Sequence, residues 1–286
     1  MLKIDKPLHS FESSITECIK GITGNSLLAE NILLHMEGLV EASNFYVNAS
    51  SDGTLYLVPP LDQAAADPTV VGAVKKTDLV KLYDQYFAKQ GKPARKIYTD
   101  ILVGAKEKCP YCGGLGRPKN LDHYLPKSHF PQFSVLPINL IPACRDCNMD
   151  GKASNFATIA EKQIIQPYCD RENFFKDQWI FSELNGSIDD PTIEISFFAR
   201  PPDTWNNSDK ERARNHFISF DLASRYSIKA AAHRSTIVDQ IRTMEAEGIS
   251  ASLINKILLE PGIRQAPFIN HWQRGFYQAL SHTLIK

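Results

Sequence analysis

At 286 residues, 43% hydrophobic and formally neutral, the chain can bury a core of its own and lacks the charge to hold nucleic acid over its whole surface. No apolar run approaches bilayer-spanning length, residues 70–74 being among the longest, and Met1-Leu2-Lys3-Ile4-Asp5-Lys6 lacks the apolar segment of a secretory leader. A cytoplasmic protein with no membrane partner is expected, in a reducing compartment where its six cysteines bind metal or stay reduced.

The composition and periodicity predict an α+β chain in three regions: a mostly helical 1–105, a compact unit at 106–165, and 166–286 with two strands followed by helices. Within the first region, residues 26–42 carry Leu27, Leu28, Ile32, Leu33, Leu34, Met36, Leu39 and Val40 at helical spacing. Phe45-Tyr46-Val47 and Leu55-Tyr56-Leu57-Val58, around a Ser-Ser-Asp-Gly turn at 50–53, predict a short hairpin. Loop follows over 59–68. Thr77 can cap a helix carrying Leu79, Val80, Leu82, Tyr83, Tyr86 and Phe87, and a further helix is expected over 94–103. Beyond the compact unit, 178–181 and 192–198 have strand composition around a Leu-Asn-Gly-Ser turn at 184–187. Ser208-x-x-Glu211 is the pattern of a capping box, opening a helical run with interruptions near Gly248 and Pro261-Gly262.

Charge is unevenly placed. Residues 91–152 carry ten Lys/Arg against five Asp/Glu, whereas 1–90 carry seven against eleven, so the basic part of the neutral chain is the cysteine-bearing part. That favours a phosphate-bearing partner at this segment.

Cys109-Pro-Tyr-Cys112 and Cys144-Arg-Asp-Cys147 are two Cys-x-x-Cys pairs. Each can form a tight knuckle whose two sulfurs point at one ion, and two knuckles give the tetrahedral four-thiolate set that zinc prefers. Such a site has no open position for substrate, so its expected role is structural. A redox Cys-x-x-Cys would need one pair in a βαβ pattern, and two pairs are present. Cys18 and Cys169 are expected to be ordinary buried thiols.

Between the knuckles lie Leu121-Asp122-His123-Tyr124-Leu125-Pro126-Lys127 and Asn139-Leu140, and the second knuckle is followed directly by Asn148 and then Lys152. An Asp-His dipeptide alone is a weak signal, and a lone His is more often a core or surface residue than a catalyst. Here the knuckles confine acid, imidazole and amide to one small unit. Phosphodiester hydrolysis needs an activated water and relief of negative charge, which a neutral imidazole and an oxygen-bound Mg²⁺ or Mn²⁺ supply. Lys127, Arg145 and Lys152 are candidates for phosphate contact.

On these residues the segment resembles the HNH endonuclease family, the zinc-knuckle branch of the ββα-metal nucleases: Cys-x-x-Cys at 109–112, Asp-His at 122–123 with Pro126, Asn139-Leu140, and Cys-x-x-Cys-Asn at 144–148 with Lys152. The resemblance implies a β-hairpin followed by a helix over one metal, with His123 near the end of the first strand and Asn148 on the helix. It also implies that His123 is the general base, that Asp122 and Asn148 hold a divalent cation, and that Asn139 fixes the loop that positions His123. The family's name has a final His where this chain has Asn148. Asp122, His123 and Asn148 are expected to supply chemistry, not packing.

The expected function is a metal-dependent endonuclease, with DNA a better substrate than RNA. The alternative is a non-catalytic zinc-knuckle module that binds nucleic acid or protein. The pattern also looks like HNH proteins of bacterial phage-defence modules, which implies an ATPase partner by analogy.

Overall fold

In a computed structural model, the structure describes residues 1–188, 190 and 193–285. It is a mixed helical protein with three two-stranded antiparallel sheets among the described residues, and it divides into two compact units, 3–171 and 172–286 with residues 1–2. Among the described residues no helix is long and apolar enough to cross a membrane.

The unit 3–171 begins with α1 (Phe11–Lys20), capped by the Ser10 hydroxyl, which accepts from Ser13 N at 3.1 Å. Its buried stripe is Phe11, Ile15 and Cys18, spaced as one helical face. The expected helix at 26–42 is broken at His35 into α2 (Ser26–Leu34) and α3 (Met36–Asp52). The expected hairpin around 50–53 is absent. Residues 45–47 lie inside α3, and Leu55–Leu57 form one 3₁₀ turn. The reason is a stripe of Leu39, Ser43, Tyr46 and Ser50, all buried and spaced four, three and four apart. The two serines satisfy themselves inside the helix, Ser43 donating to Val40 O at 2.7 Å and Ser50 to Val47 O at 2.8 Å. Gly53 (φ 70°) then ends α3 in the left-handed conformation, so the turn signal was a helix stop.

A small ribbon pairs β1 (Thr69–Val71) with β2 (Val74–Lys75). Helix α4 (Lys76–Lys81) follows from a cap at Lys75, and Thr77 lies in its first turn, bound through N–H and hydroxyl to the Asp67 carboxylate. The chain continues as a π-type segment, Leu82–Phe87, which buries Tyr83, Tyr86 and Phe87. Next, α5 (Arg95–Gly104) packs Ile97, Tyr98 and Ile101 against a hairpin of β3 (Asn120–His123) and β4 (Leu140–Ala143). A π-type helical segment, Asp146–Lys152, follows β4 directly.

In the unit 172–286, α6 (Asn173–Lys176) leads to β5 (Ile180–Leu184), paired with β6 (Ile195–Ala199). Thr192, in the strand expected at 192–198, lies outside the described residues. Helix α7 (Asn207–Ser219) is capped by Asn206, not by Ser208: the Asn206 Oδ1 accepts from Asp209 N at 2.8 Å. Then come α8 (Leu222–Ala246), α9 (Ala251–Ile254), α10 (Glu260–Arg264) and α11 (Trp272–Ile285). Helix α8 packs on β6 and α11 on β5. Gly275 allows that approach, since a Cβ there would lie 3.3 Å from Ser182 N.

Candidate metal centre and active site

The β3–β4 register decides where the candidate residues sit. Asn120 pairs with Ala143 and His123 with Leu140. One end of the hairpin therefore gathers the two cysteine pairs, and the other end carries Asp122 and His123, about 10 Å along the strand at the usual rise.

At the cysteine end, the sulfurs of Cys109, Cys112, Cys144 and Cys147 lie within 4.8 Å of one another, all buried. Gly113 (φ 63°) and Gly114 (φ 86°) take the left-handed turn that closes the first knuckle. Gly114 N donates to Cys109 O at 2.9 Å, and Gly116 N to the Cys112 sulfur at 3.4 Å. Zinc–sulfur bonds of about 2.3 Å put tetrahedral sulfurs about 3.8 Å apart, close to the spacing here. The Cys112 and Cys144 sulfurs are 4.0 Å apart. Four sulfurs this close cannot all be charged without a cation. Hydrogen bonding with Cys109 draws Cys112 below the usual thiol range, and a separate hydrogen bond between Cys147 and Cys109 pushes Cys147 above it. The cluster can hold a zinc ion. Of the two remaining cysteines, Cys18 is buried and Cys169 half-buried.

At the other end, His123 is buried and its Nε2 lies 2.9 Å from Ser134 O. A carbonyl only accepts, so Nε2 carries the proton and Nδ1 keeps its lone pair. Ser134 is itself held by its hydroxyl, which donates to Leu79 O at 2.8 Å. The edge of the His123 ring meets Tyr83, with centroids 4.4 Å apart. Burial lowers the His123 pKa to about 3, outweighing the hydrogen bond to Ser134, so the ring stays neutral.

Asp122 is also buried. Its Oδ2 accepts from the Tyr111 hydroxyl at 3.0 Å and lies 3.5 Å from Lys152 Nζ. Burial nevertheless raises its pKa to about 6 against these two partners. Lys152 was expected at a phosphate, but its side chain is 3% exposed and its ammonium donates to His123 O at 2.6 Å. It is committed to the inside of the site, and burial lowers its pKa. Asp122 and His123 are thus buried and packed, which corrects the expectation that they do not pack.

Asn139 is fully buried. Its Oδ1 accepts from Leu125 N at 2.8 Å, and its Nδ2 donates to Leu125 O and Phe133 O, both at 3.1 Å. It clamps the loop that leaves His123 and returns to β4. Asn148 lies on the helical segment after the second knuckle, half-buried.

A cleft of about 390 Å³ runs along β3, lined by Tyr83, Asn120, Asp122, His123, Lys127 and Asn148 among others. Lys127 stands at it with its ammonium paired to Asp84 and 4.8 Å above the Tyr83 ring. Arg145 is exposed and does not line the cleft. Four contributors had not been singled out for the site: Tyr83, Tyr111, Asn120 and Ser134. Tyr111 sits within the first knuckle and Asn120 two residues before Asp122, so position could have flagged both. Ser134 acts through its backbone oxygen, which leaves no trace in side-chain identity.

Fold and site together define a mixed α-helical and β-hairpin protein with a buried four-cysteine centre able to hold zinc. No family model matches the chain, and no solved structure matches it. It is similar to protein ea31 of Escherichia phage lambda, 34% identical over 293 aligned residues that cover 99% of this chain and 98% of that protein. The chain belongs to the ea31 family.

Proposed function

We propose that this chain is a metal-dependent endonuclease of the HNH type that hydrolyses phosphodiester bonds of DNA. The observation that carries the reading is the junction of three groups at one cleft: a neutral histidine with a fixed tautomer, a buried carboxylate, and the Asn148 amide.

The residues present fit a divalent cation. Asp122 is a carboxylate buried with too little positive charge beside it to bring its pKa back to the ordinary range. Its side-chain contacts, from Tyr111 and Lys152, fall on Oδ2, and the His123 backbone N–H also donates to the carboxylate. Asp122 and Asn148 would hold Mg²⁺ or Mn²⁺, hard ions that take oxygen donors. An ion held there would supply Lewis-acid stabilisation of the phosphate and of the departing 3′ oxygen.

His123 takes the proton of the attacking water on Nδ1. Its Nε2–Ser134 bond and the Tyr83 ring hold that nitrogen in one orientation, so the base needs no reorganisation. Lys127 can exchange Asp84 for a phosphate oxygen with a small side-chain movement. The cysteine centre holds the far end of the same hairpin, so its contribution to the chemistry is rigidity.

The test is nicking of supercoiled plasmid by zinc-loaded protein with and without added Mg²⁺. Mg²⁺-dependent nicking, lost in His123→Ala, supports the nuclease. DNA retained without cutting, equally in wild type and His123→Ala, would return the chain to the zinc-module reading. Roles in antiphage defence and beside an ATPase form an outer layer of the proposal, checked by plaque counts and by co-purification. The phage origin of the relative is compatible with both.

A further inference from the structure

We infer that Asn120 is a third protein ligand of the divalent cation, acting through its amide oxygen beside Asp122 and Asn148; this rests on the cation reading above. Asn120 opens β3 opposite Ala143, and residues two apart on a strand share a face, so Asn120 and Asp122 project to the same side of the hairpin. Both line the cleft, and so does Asn148.

The decisive atom is the Asn120 Oδ1. It is buried and has no hydrogen-bond partner among the described residues. Tyr46, Arg95 and Gln132 of the unit 3–171 also have a buried side-chain atom without a hydrogen-bond partner among the described residues, and none of those residues lines the cleft. A buried acceptor without a donor is costly, and such groups in folded proteins have an explanation, a bound ion among them. Lys152 does not serve Asn120, since its ammonium is directed to His123 O and Asp122. A cation at the Asp122 carboxylate would bring positive charge to the face that the amide oxygen shares.

The donor chemistry is consistent. One carboxylate and two amide oxygens are hard, carry a single negative charge, and leave coordination positions for water and phosphate oxygens, as Mg²⁺ and Mn²⁺ require. An amide oxygen also has no proton to lose, so its contribution does not vary across the working pH range.

The experiment is titration of zinc-loaded full-length protein with Mn²⁺, followed by electron paramagnetic resonance. Zinc content and melting temperature serve as controls of the fold. Wild type is expected to bind one Mn²⁺ beyond its zinc. Asn120→Ala should weaken that site at least tenfold, and Asn120→Asp, which keeps an oxygen, should bind as tightly as wild type or tighter. If Asn120→Ala binds like wild type while Asp122→Ala does not bind, Asn120 is no ligand and the cation reading stands without it. If Asn120→Asp is as weak as Asn120→Ala, the amide serves as a donor and the inference fails. If wild type binds no Mn²⁺ beyond zinc, the inference falls together with the cation reading. Should Asn120→Ala lose zinc, Asn120→Asp decides alone: binding at wild-type strength or tighter supports the ligand, and weakening overturns it.

Discussion

The ammonium of Lys152 lies 3.5 Å from the carboxylate of Asp122, and both side chains are at most 5% exposed. Removing one partner of such a pair leaves the other charge buried and uncompensated, a change that typically costs about 3–5 kcal/mol. Lys152→Met should therefore lower stability at pH 8 by about 3 kcal/mol in urea unfolding with zinc present. The loss should shrink toward pH 5. Asp122 already holds its proton up to about 6 in the folded chain, against 3.8 unfolded, so acid removes the charge that Lys152 answers. A loss that is constant between pH 8 and pH 5 would show that Lys152 acts by packing alone.

The pKa of His123 is shifted the opposite way, down instead of up. Its folded pKa is about 3 against 6.5 unfolded, so between those values the unfolded chain binds more protons. The stability from burying the neutral ring is complete above 6.5 and is lost as pH falls toward 3. At one pKa unit per 1.36 kcal/mol, about 2 kcal/mol should disappear between pH 7.5 and pH 5. The stability difference between wild type and His123→Ala should narrow by that amount on acidification. Zinc content should stay the same in both. A difference that does not respond to pH would mean that the ring is accessible to protons.

Asn139→Ala would strand the Leu125 N–H, the Leu125 carbonyl and the Phe133 carbonyl together. A cost of about 3 kcal/mol is expected, because buried groups lose their partners with no water to replace them. Plasmid nicking should fall with it, since the loop ends at the residues that hold His123. Asn139→Asp should do no better, as it keeps the acceptor but loses both donors. Recovery of nicking in that variant would locate the function in the acceptor alone.

Cys109→Ser and Cys147→Ser should each lose zinc and unfold the hairpin, because four-thiolate zinc binding in small units contributes on the order of 10 kcal/mol or more to folding. Metal analysis and near-ultraviolet circular dichroism check it. Cys18→Ser, outside the cluster, should keep its zinc.

Much of the candidate site's geometry was legible because its residues are defined by type at short spacing. Two Cys-x-x-Cys pairs, Asp122-His123, Asn139 and Asn148 span only a few dozen positions, and the hairpin register brings them together. Lys152 misled because a lysine is almost never buried unless paired, and its partner is 30 positions away. The error at 45–58 has a similar root. Two of the four residues in the α3 stripe are serines, so an apolar pattern broke where the helix continues, and Phe45-Tyr46-Val47 then carried strand propensity. The breaks at His35 and at Asp221 (φ 48°) had no Gly or Pro to announce them.

Tyr83 joins the cleft from 40 positions upstream of His123, on a segment that also supplies Asp84 to Lys127. Excision of 106–165 as a portable cassette would carry off both knuckles and the Asp-His pair, yet leave the imidazole without one wall. A fragment that keeps the surroundings of His123 and Lys127 intact must therefore include residues 82–87.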